Sequence, residues 1–187
     1  VGEWSLSWGG NAQGDSNFNA VWTADVLGHI LKNGGIAMYY GTKGNAIKWA
    51  NGTNTDWYTG ITYNLALDDP MAPYHGYGMF TGENLFRHFG TIMVNTSTTL
   101  ANVDVFASDN QKNIVVINKD TAASQTATFS LNGVPSGTID IWRKEASVVF
   151  KDPPVKLSSI NFQNSTFTYT LPPLSATTFV ITSGSIT

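Results

Sequence analysis

Residues 1–10 read VGEWSLSWGG, and the fold turns on how this decapeptide is read. Glu3 stands between Gly2 and Trp4 in a short run that predicts a strand over residues 1–6, and Gly9-Gly10 then turn the chain. Beyond the polar turn NAQGDSN, apolar residues fall at Phe18, Val21, Trp22, Val26 and Ile30, the spacing of one helical face. Asp15, Ser16 or Asn17 can cap that helix and Gly34-Gly35 can end it. IAMYYG, residues 36–41, follows as a continuous apolar run bounded by glycines. A strand without alternation is usually buried on both faces, as in a parallel sheet. Strand, helix and strand in succession make a βαβ unit, with the two strands as parallel neighbours.

Further along, residues 42–73 read as a loop, punctuated by Gly44, Asn51-Gly52, Asn54 and LDDP and carrying Trp49, Trp57 and Tyr58. Loops leaving the C-terminal ends of parallel strands are where α/β barrels carry their binding groups. Residues 74–89, YHGYGMFTGENLFRHF, predict a second helix, although Gly76, Gly78 and Gly82 each cost it about 1 kcal/mol relative to alanine. Packing of Tyr77, Phe80, Leu85 and Phe89 has to hold it.

From Asn95 the period changes to two. VDVFA, NIVVIN, ATFSL, TIDIW, FTYTL and TTFVI are separated by Asn, Asp, Gly and Pro turns, which predicts an antiparallel β-sandwich. Its inward set is Val103, Val105, Ile114, Val116, Phe129, Ile139, Ile141, Phe167, Tyr169, Phe179 and Ile181. The organisation expected is residues 1–94 as α/β units and 95–187 as the sandwich.

Composition narrows the partners. Only 12% of the 187 residues are charged, against about 25% in typical domains. A net charge of −3 without basic clusters argues against nucleic acid and against anionic membranes. No apolar run approaches the length of a membrane span. There is no cysteine, so the redox compartment cannot be read from disulfides. Sequons at Asn51, Asn95 and Asn164 would be surface glycosylation sites in a secreted eukaryotic protein. The chain opens on Val1 directly into a strand, which suggests that a preceding segment is missing.

Glu3 beside indoles has two readings: an ordinary surface glutamate next to core tryptophans, or the carboxylate of a sugar site, where flat apolar rings hold a pyranose. On the second reading Trp4, Trp8, Tyr39, Tyr40 and Trp49 are the candidate sugar contacts. Trp22 lies on the helix's apolar face and Trp142 within the sandwich, so both are assigned to the core. His75 is read as structural. Asp68-Asp69 could be a second catalytic group or a calcium site, but without further oxygen-rich spacing they are read as a turn and helix-start signal before Pro70. No phosphate-binding glycine loop, Ser-His-Asp order or metal-binding His pair is evident, and no cofactor or metal is expected.

Two βα units with an acidic residue at the end of the first strand, followed by a sandwich, resemble the last quarter of a retaining glycosidase barrel. The superfamily is the large (β/α)-barrel one that includes xylosidases, arabinofuranosidases and many cellulases and hemicellulases. GEW is similar to the end of its seventh barrel strand, and FNAVWTADVLGHILKNGG, GYGMFTGENLFRHFG and LPPLSATTFVI to its seventh helix, eighth helix and closing sandwich strand. The resemblance implies that Glu3 is the nucleophile. It also implies an acid/base after an Asn on a fourth strand, yet no Asn-Glu pair occurs in this chain. Two βα units cannot close a barrel. The expectation is therefore a C-terminal part of a secreted, extracellular enzyme, with carbohydrate as substrate and the N-terminal remainder as partner. Two other readings stay open: a non-catalytic carbohydrate-binding protein, and a sandwich that only braces a barrel.

Overall fold

In the computed structural model, the structure describes residues 3–4, 6, 16–39, 46–48, 50–56, 60–110 and 112–183. Its first unit is β1 (Glu3–Trp4), α1 (Asn17–Lys32) and β2 (Met38–Tyr39), with β1 and β2 parallel and in the register Glu3 to Met38 and Trp4 to Tyr39. Helix α1 begins after Ser16, whose side chain makes no capping bond. It ends at Gly34, where φ is +69° and the backbone N–H of Gly35 reaches Ile30 O at 2.9 Å. The fully buried side of α1 is not quite the one expected. Val21 and Ile30 are buried, but Phe18, Trp22 and Val26 are half-buried, while Ala20, Thr23, Ala24, Leu27 and Gly28 complete the contact face. Small residues mark where other elements come closest, and apolar periodicity does not register them.

The loop expected over residues 42–73 contains a hairpin, β3 (Gly52–Thr55) and β4 (Thr62–Leu65), whose ladder continues as a bridge between Ile47 and Pro70. Its strands read GTNT and TYNL. Threonine favours a pleated surface, and Thr55 and Thr62 pair across the hairpin at 2.8 Å. Too few apolar residues alternate there for the strands to be seen in sequence.

The second helix, α2 (Ala72–Thr81), is shorter than expected: Gly82, at φ +80°, turns the chain into a 3-10 turn over Gly82–Asn84, and the segment from Leu85 to Phe89 lies beyond it. Two of its glycines have specific neighbours. A Cβ on Gly76 would sit 2.5 Å from the carbonyl oxygen of Ala20 and 2.7 Å from Thr23 Cβ, so glycine is what lets α1 and α2 pack this closely. At Gly78 a Cβ would occupy the place of the Glu83 carboxylate.

Eight strands follow: β5 (Met93–Val94), β6 (Val103–Ser108), β7 (Asn113–Asn118), β8 (Gln125–Ser130), β9 (Gly137–Glu145), β10 (Val155–Phe162), β11 (Thr166–Leu171) and β12 (Ser175–Ser183). Six form one antiparallel sheet in the order β10-β9-β12-β7-β6-β5, and β8 pairs with β11 as a separate ribbon. Six of these strands are those expected; β5 and β10 are not. In β10 a register shift between Leu157 and Ile160 breaks the alternation, as a bulge does.

Between the sheet and the ribbon lies a core of Val103, Ile114, Val116, Ile139, Ile141, Phe162, Phe167, Leu171, Phe179 and Ile181, with Val105, Phe129 and Tyr169 packed at its margin. All eleven expected residues belong to it. Phe179 is ringed by Phe129, Phe167 and Tyr169 at centroid distances of 5.3, 5.2 and 5.1 Å. The other face of the sheet is not solvated. Phe106, Val115, Ile117, Leu174 and Ala176 form a second core with Val21, Ala24 and Leu27 of α1 and Met79 and Phe80 of α2. Strand β7, NIVVIN, is consequently buried at every residue. The sheet is thus the middle of three layers, helices on one side and ribbon on the other.

Candidate functional site

Glu3 lies on β1, where its backbone is described and its side chain is not; Trp8, Tyr40 and Trp49 lie outside the described residues. The register partner of Glu3, Met38, is 53% exposed, and Ile36, two residues before it, is 77% exposed. On β2 the Met38 side is therefore open and apolar.

The opposite face is filled. Trp4 sits among three rings, at centroid distances of 5.5 Å from Trp22, 5.2 Å from Tyr39 and 5.9 Å from Tyr77. Tyr39 and Tyr77 meet edge to face at 5.9 Å. The structure therefore brings Trp4 and Tyr39 together, in contact with both helices. Burial raises the pKa of the Tyr39 phenol, opposed by hydrogen bonds with Asn19 and Thr23, and burial likewise raises that of Tyr77. Two tryptophans assigned to the core are only half-buried. Trp22 closes the ring cluster around Trp4, and Trp142 stacks on Phe86 at 5.0 Å with the Lys156 ammonium 5.6 Å from its centroid.

His75 is fully buried on α2. One ring nitrogen, Nδ1, meets both oxygens of Glu83 at 2.9 and 3.0 Å, and Nε2 lies 2.9 Å from the carbonyl oxygen of Lys151. Those partners make it a tie between α2, the 3-10 turn and the segment after β9. Asp69 accepts a hydrogen bond from the Ala66 N–H at 2.9 Å, and Asp68 adopts φ +67° in the turn before Pro70.

Two clusters were not anticipated. On α1, Asp25 and His29 meet Asp104 of β6 and Lys119 beyond β7: His29 Nε2 lies 3.2 Å from Asp104 Oδ2 and 3.7 Å from Asp25 Oδ1, and Lys119 Nζ lies 2.5 Å from Asp104 Oδ2. Burial pushes the Asp25 carboxyl up to about 6, against the opposing pull of Lys119. The i, i+4 spacing of Asp25 and His29 was readable, but nothing local announces Asp104. The ligand atoms of Asp25, His29 and Asp104 fall within 4.8 Å of one another. The Lys119 ammonium, however, already sits against both carboxylates, 3.8 Å from Asp25 Oδ2 as well as beside Asp104. The second cluster surrounds Lys144, a lysine buried near the C-terminal end of β9.

No family model matches the chain. Over 171 residues it is 32% identical to endoglucanase A of Paenibacillus lautus, an alignment that takes in 87% of this chain and 21% of that protein. In structure it superposes on a family 44 xyloglucanase from Paenibacillus polymyxa with a TM-score of 0.71 at 21% identity, covering 97% of this chain and 31% of that one. A family 44 endoglucanase from Clostridium thermocellum gives 0.70 at 20% identity, again over 97% of this chain and 31% of that one. A family 30 endoxylanase from Clostridium papyrosolvens gives 0.64 at 19%, over 98% of this chain and 41% of that one. The chain has the fold of a segment of these glycoside hydrolases. It spans about a fifth of the length of the curated relative and about a third to two fifths of the solved structures.

Proposed function

We propose that this chain is the C-terminal part of a secreted retaining glycoside hydrolase acting on a polysaccharide, with β1–α1–β2 and α2 as the last two units of a (β/α)-barrel and the layered sheets as its attached sandwich. The observation that carries the reading is the parallel pair β1–β2, with helices packed on one face and bare apolar residues on the other. A barrel strand is buried on both faces. The exposed Ile36 and Met38 are therefore the surface that the N-terminal remainder covers.

On this reading Glu3 attacks the anomeric carbon. A carboxylic acid from the remainder, about 5–5.5 Å away, protonates the leaving oxygen and then activates the water that releases the sugar. Trp8, Tyr40 and Trp49 stay the candidate sugar contacts, whereas Trp4 and Tyr39 support the strand from the helix side. Among the described residues no tryptophan lies flat and open on the sheets, since Trp142 is covered by Phe86. That favours the enzyme over a binding module that uses the sandwich face.

The test is Glu3→Ala in the complete enzyme. Turnover is expected to drop by several powers of ten with the fold intact, and azide to restore part of it as a glycosyl azide of inverted configuration. Near-normal turnover in the folded variant would remove Glu3 from the mechanism.

A further inference from the structure

Lys144 is the largest polar side chain fully enclosed among the described residues, and it lies where no part of the proposed mechanism needs it. Its ammonium donates to the carbonyl oxygens of Val149, at 2.7 Å, and Asp152, at 2.5 Å. Between those two carbonyls, Phe150 is fully buried against Leu65 of β4, Met71, Ala72 and Ala20, with Tyr63 of β4 edge-on to its ring at 5.4 Å. His75 holds the same segment through the Lys151 carbonyl. Residues 149–152 thus form a wedge, gripped by the sheet at one side and carrying the β3–β4 hairpin at the other.

We propose that Lys144 is a positioning residue whose proton controls this wedge, so that the β3–β4 hairpin, in the stretch leaving the end of β2, is held firmly when Lys144 is neutral and loosened when it is charged. The sign follows from where the ammonium sits. Burial lowers the Lys144 pKa to about 7, against the opposing charges of Asp152, Glu83 and Asp56. Those carboxylates face it from the wedge, from the 3-10 turn beside His75 and from the turn end of the hairpin. Releasing the wedge hydrates the ammonium and restores its ordinary affinity for a proton. Opening therefore takes up a proton above about pH 7, and the closed form gains up to about tenfold per pH unit as pH rises from there toward the ordinary lysine value. Below about 7 both forms are protonated and the dependence disappears. The link from hairpin to sugar rests on the glycosidase reading; the wedge itself does not.

The experiment is hydrogen exchange read by mass spectrometry across neutral and mildly alkaline pH, corrected for intrinsic rates, on the wild-type chain and on Lys144→Met. In the wild type, protection of residues 52–65 and 149–152 should climb with pH while that of α1 and β7 stays level. Lys144→Met, which keeps the length of the side chain but loses its donors, should flatten the climb and lower protection of those two segments by about tenfold or more. An unchanged climb in Lys144→Met, or protection lost equally in β7 and β12, would overturn the proposal. If that variant does not fold, the wild-type profile decides: no climb refutes it. In the complete enzyme, Lys144→Met should raise KM with little change in kcat. A lowered kcat at unchanged KM would separate the hairpin from substrate holding and leave the glycosidase reading standing.

Discussion

Replacing Gly76 by alanine sets two known effects against each other. In a solvated helix the exchange would favour folding, because alanine is the better helix former by about 1 kcal/mol. Here the new Cβ falls 2.5 Å from a backbone oxygen, that of Ala20, and 2.7 Å from Thr23 Cβ. A backbone carbonyl inside α1 cannot rotate away as a flexible side chain would, so the two helices have to separate or tilt. Overpacking of this kind costs about 1–3 kcal/mol, occasionally more, and the contact with backbone places it toward the upper end. The net expectation is a loss of about 1–2 kcal/mol, or a melting temperature lower by roughly 2–8 °C for a chain of this size. Thermal unfolding followed by far-UV circular dichroism measures it. Gly52→Ala is the control, since the nearest atom to its Cβ would be Lys48 Cε at 3.9 Å. Thr23→Ser added to Gly76→Ala should recover little, because the Ala20 oxygen stays in place. If Gly76→Ala melts at or above the parent temperature, the helix pair is not held at this distance and the account of α2's glycines fails.

Asp25 predicts a pH dependence of its own. Its carboxyl is raised by burial from 3.8 to about 6, so its contribution to stability is fully present below 3.8 and lost as pH rises through about 6. Melting temperature should therefore fall over that interval and Asp25→Asn should flatten the fall; an equal fall in the variant would exclude Asp25 as the cause. Asp104 acts in a different window: burial alone would raise it, but hydrogen bonds from Lys119, Asp25 and His29 hold it below its ordinary value, so its contribution is lost only at lower pH. Asn118 is fully buried and donates to the carbonyls of Ala123, Leu171 and Pro172 at 3.1, 3.2 and 2.8 Å. Asn118→Ala leaves those acceptors short of a donor and should cost about 2–3 kcal/mol by denaturant unfolding, with a cost below about 0.5 kcal/mol, as at an ordinary surface position, counting against it.

What the sequence conveys best is alternation with a buried consequence. NIVVIN and TTFVIT are legible because one-residue spacing decides which face a side chain takes, and the eleven inward residues read from such runs share one core. The same reasoning stops at VKLSSINF, where the bulge between Leu157 and Ile160 removes the period. It also stops at GTNT and TYNL, which are held by the single Thr55–Thr62 pair and by Phe150, a residue some ninety positions away. Glycine misleads in a regular way. Gly76 and Gly78 look like defects in α2 until the carbonyl of Ala20 and the carboxylate of Glu83 are found in the space a Cβ would take. Lys144 and Asp104 belong to clusters assembled across the whole chain, and no local pattern encodes a partner on another element.

The second core carries a consequence for how the molecule is divided. Alternation separates residues before and after position 95 by period, and it is tempting to treat the later part as an independent sandwich. Yet Phe106, Val115, Ile117 and Ala176 on the sheet pack directly on Val21, Leu27, Met79 and Phe80 of the helices, and Thr178 donates to the Met79 carbonyl at 2.8 Å. Gly28 makes the same point in reverse, since a Cβ there would collide with the Phe106 ring. A sheet cut free of its helices would expose one whole apolar face, the kind of patch that drives association. The helices would in turn lose the surface that their small residues were shaped to meet. The change of period at residue 95 therefore marks a change of secondary structure, while the second hydrophobic core spans it.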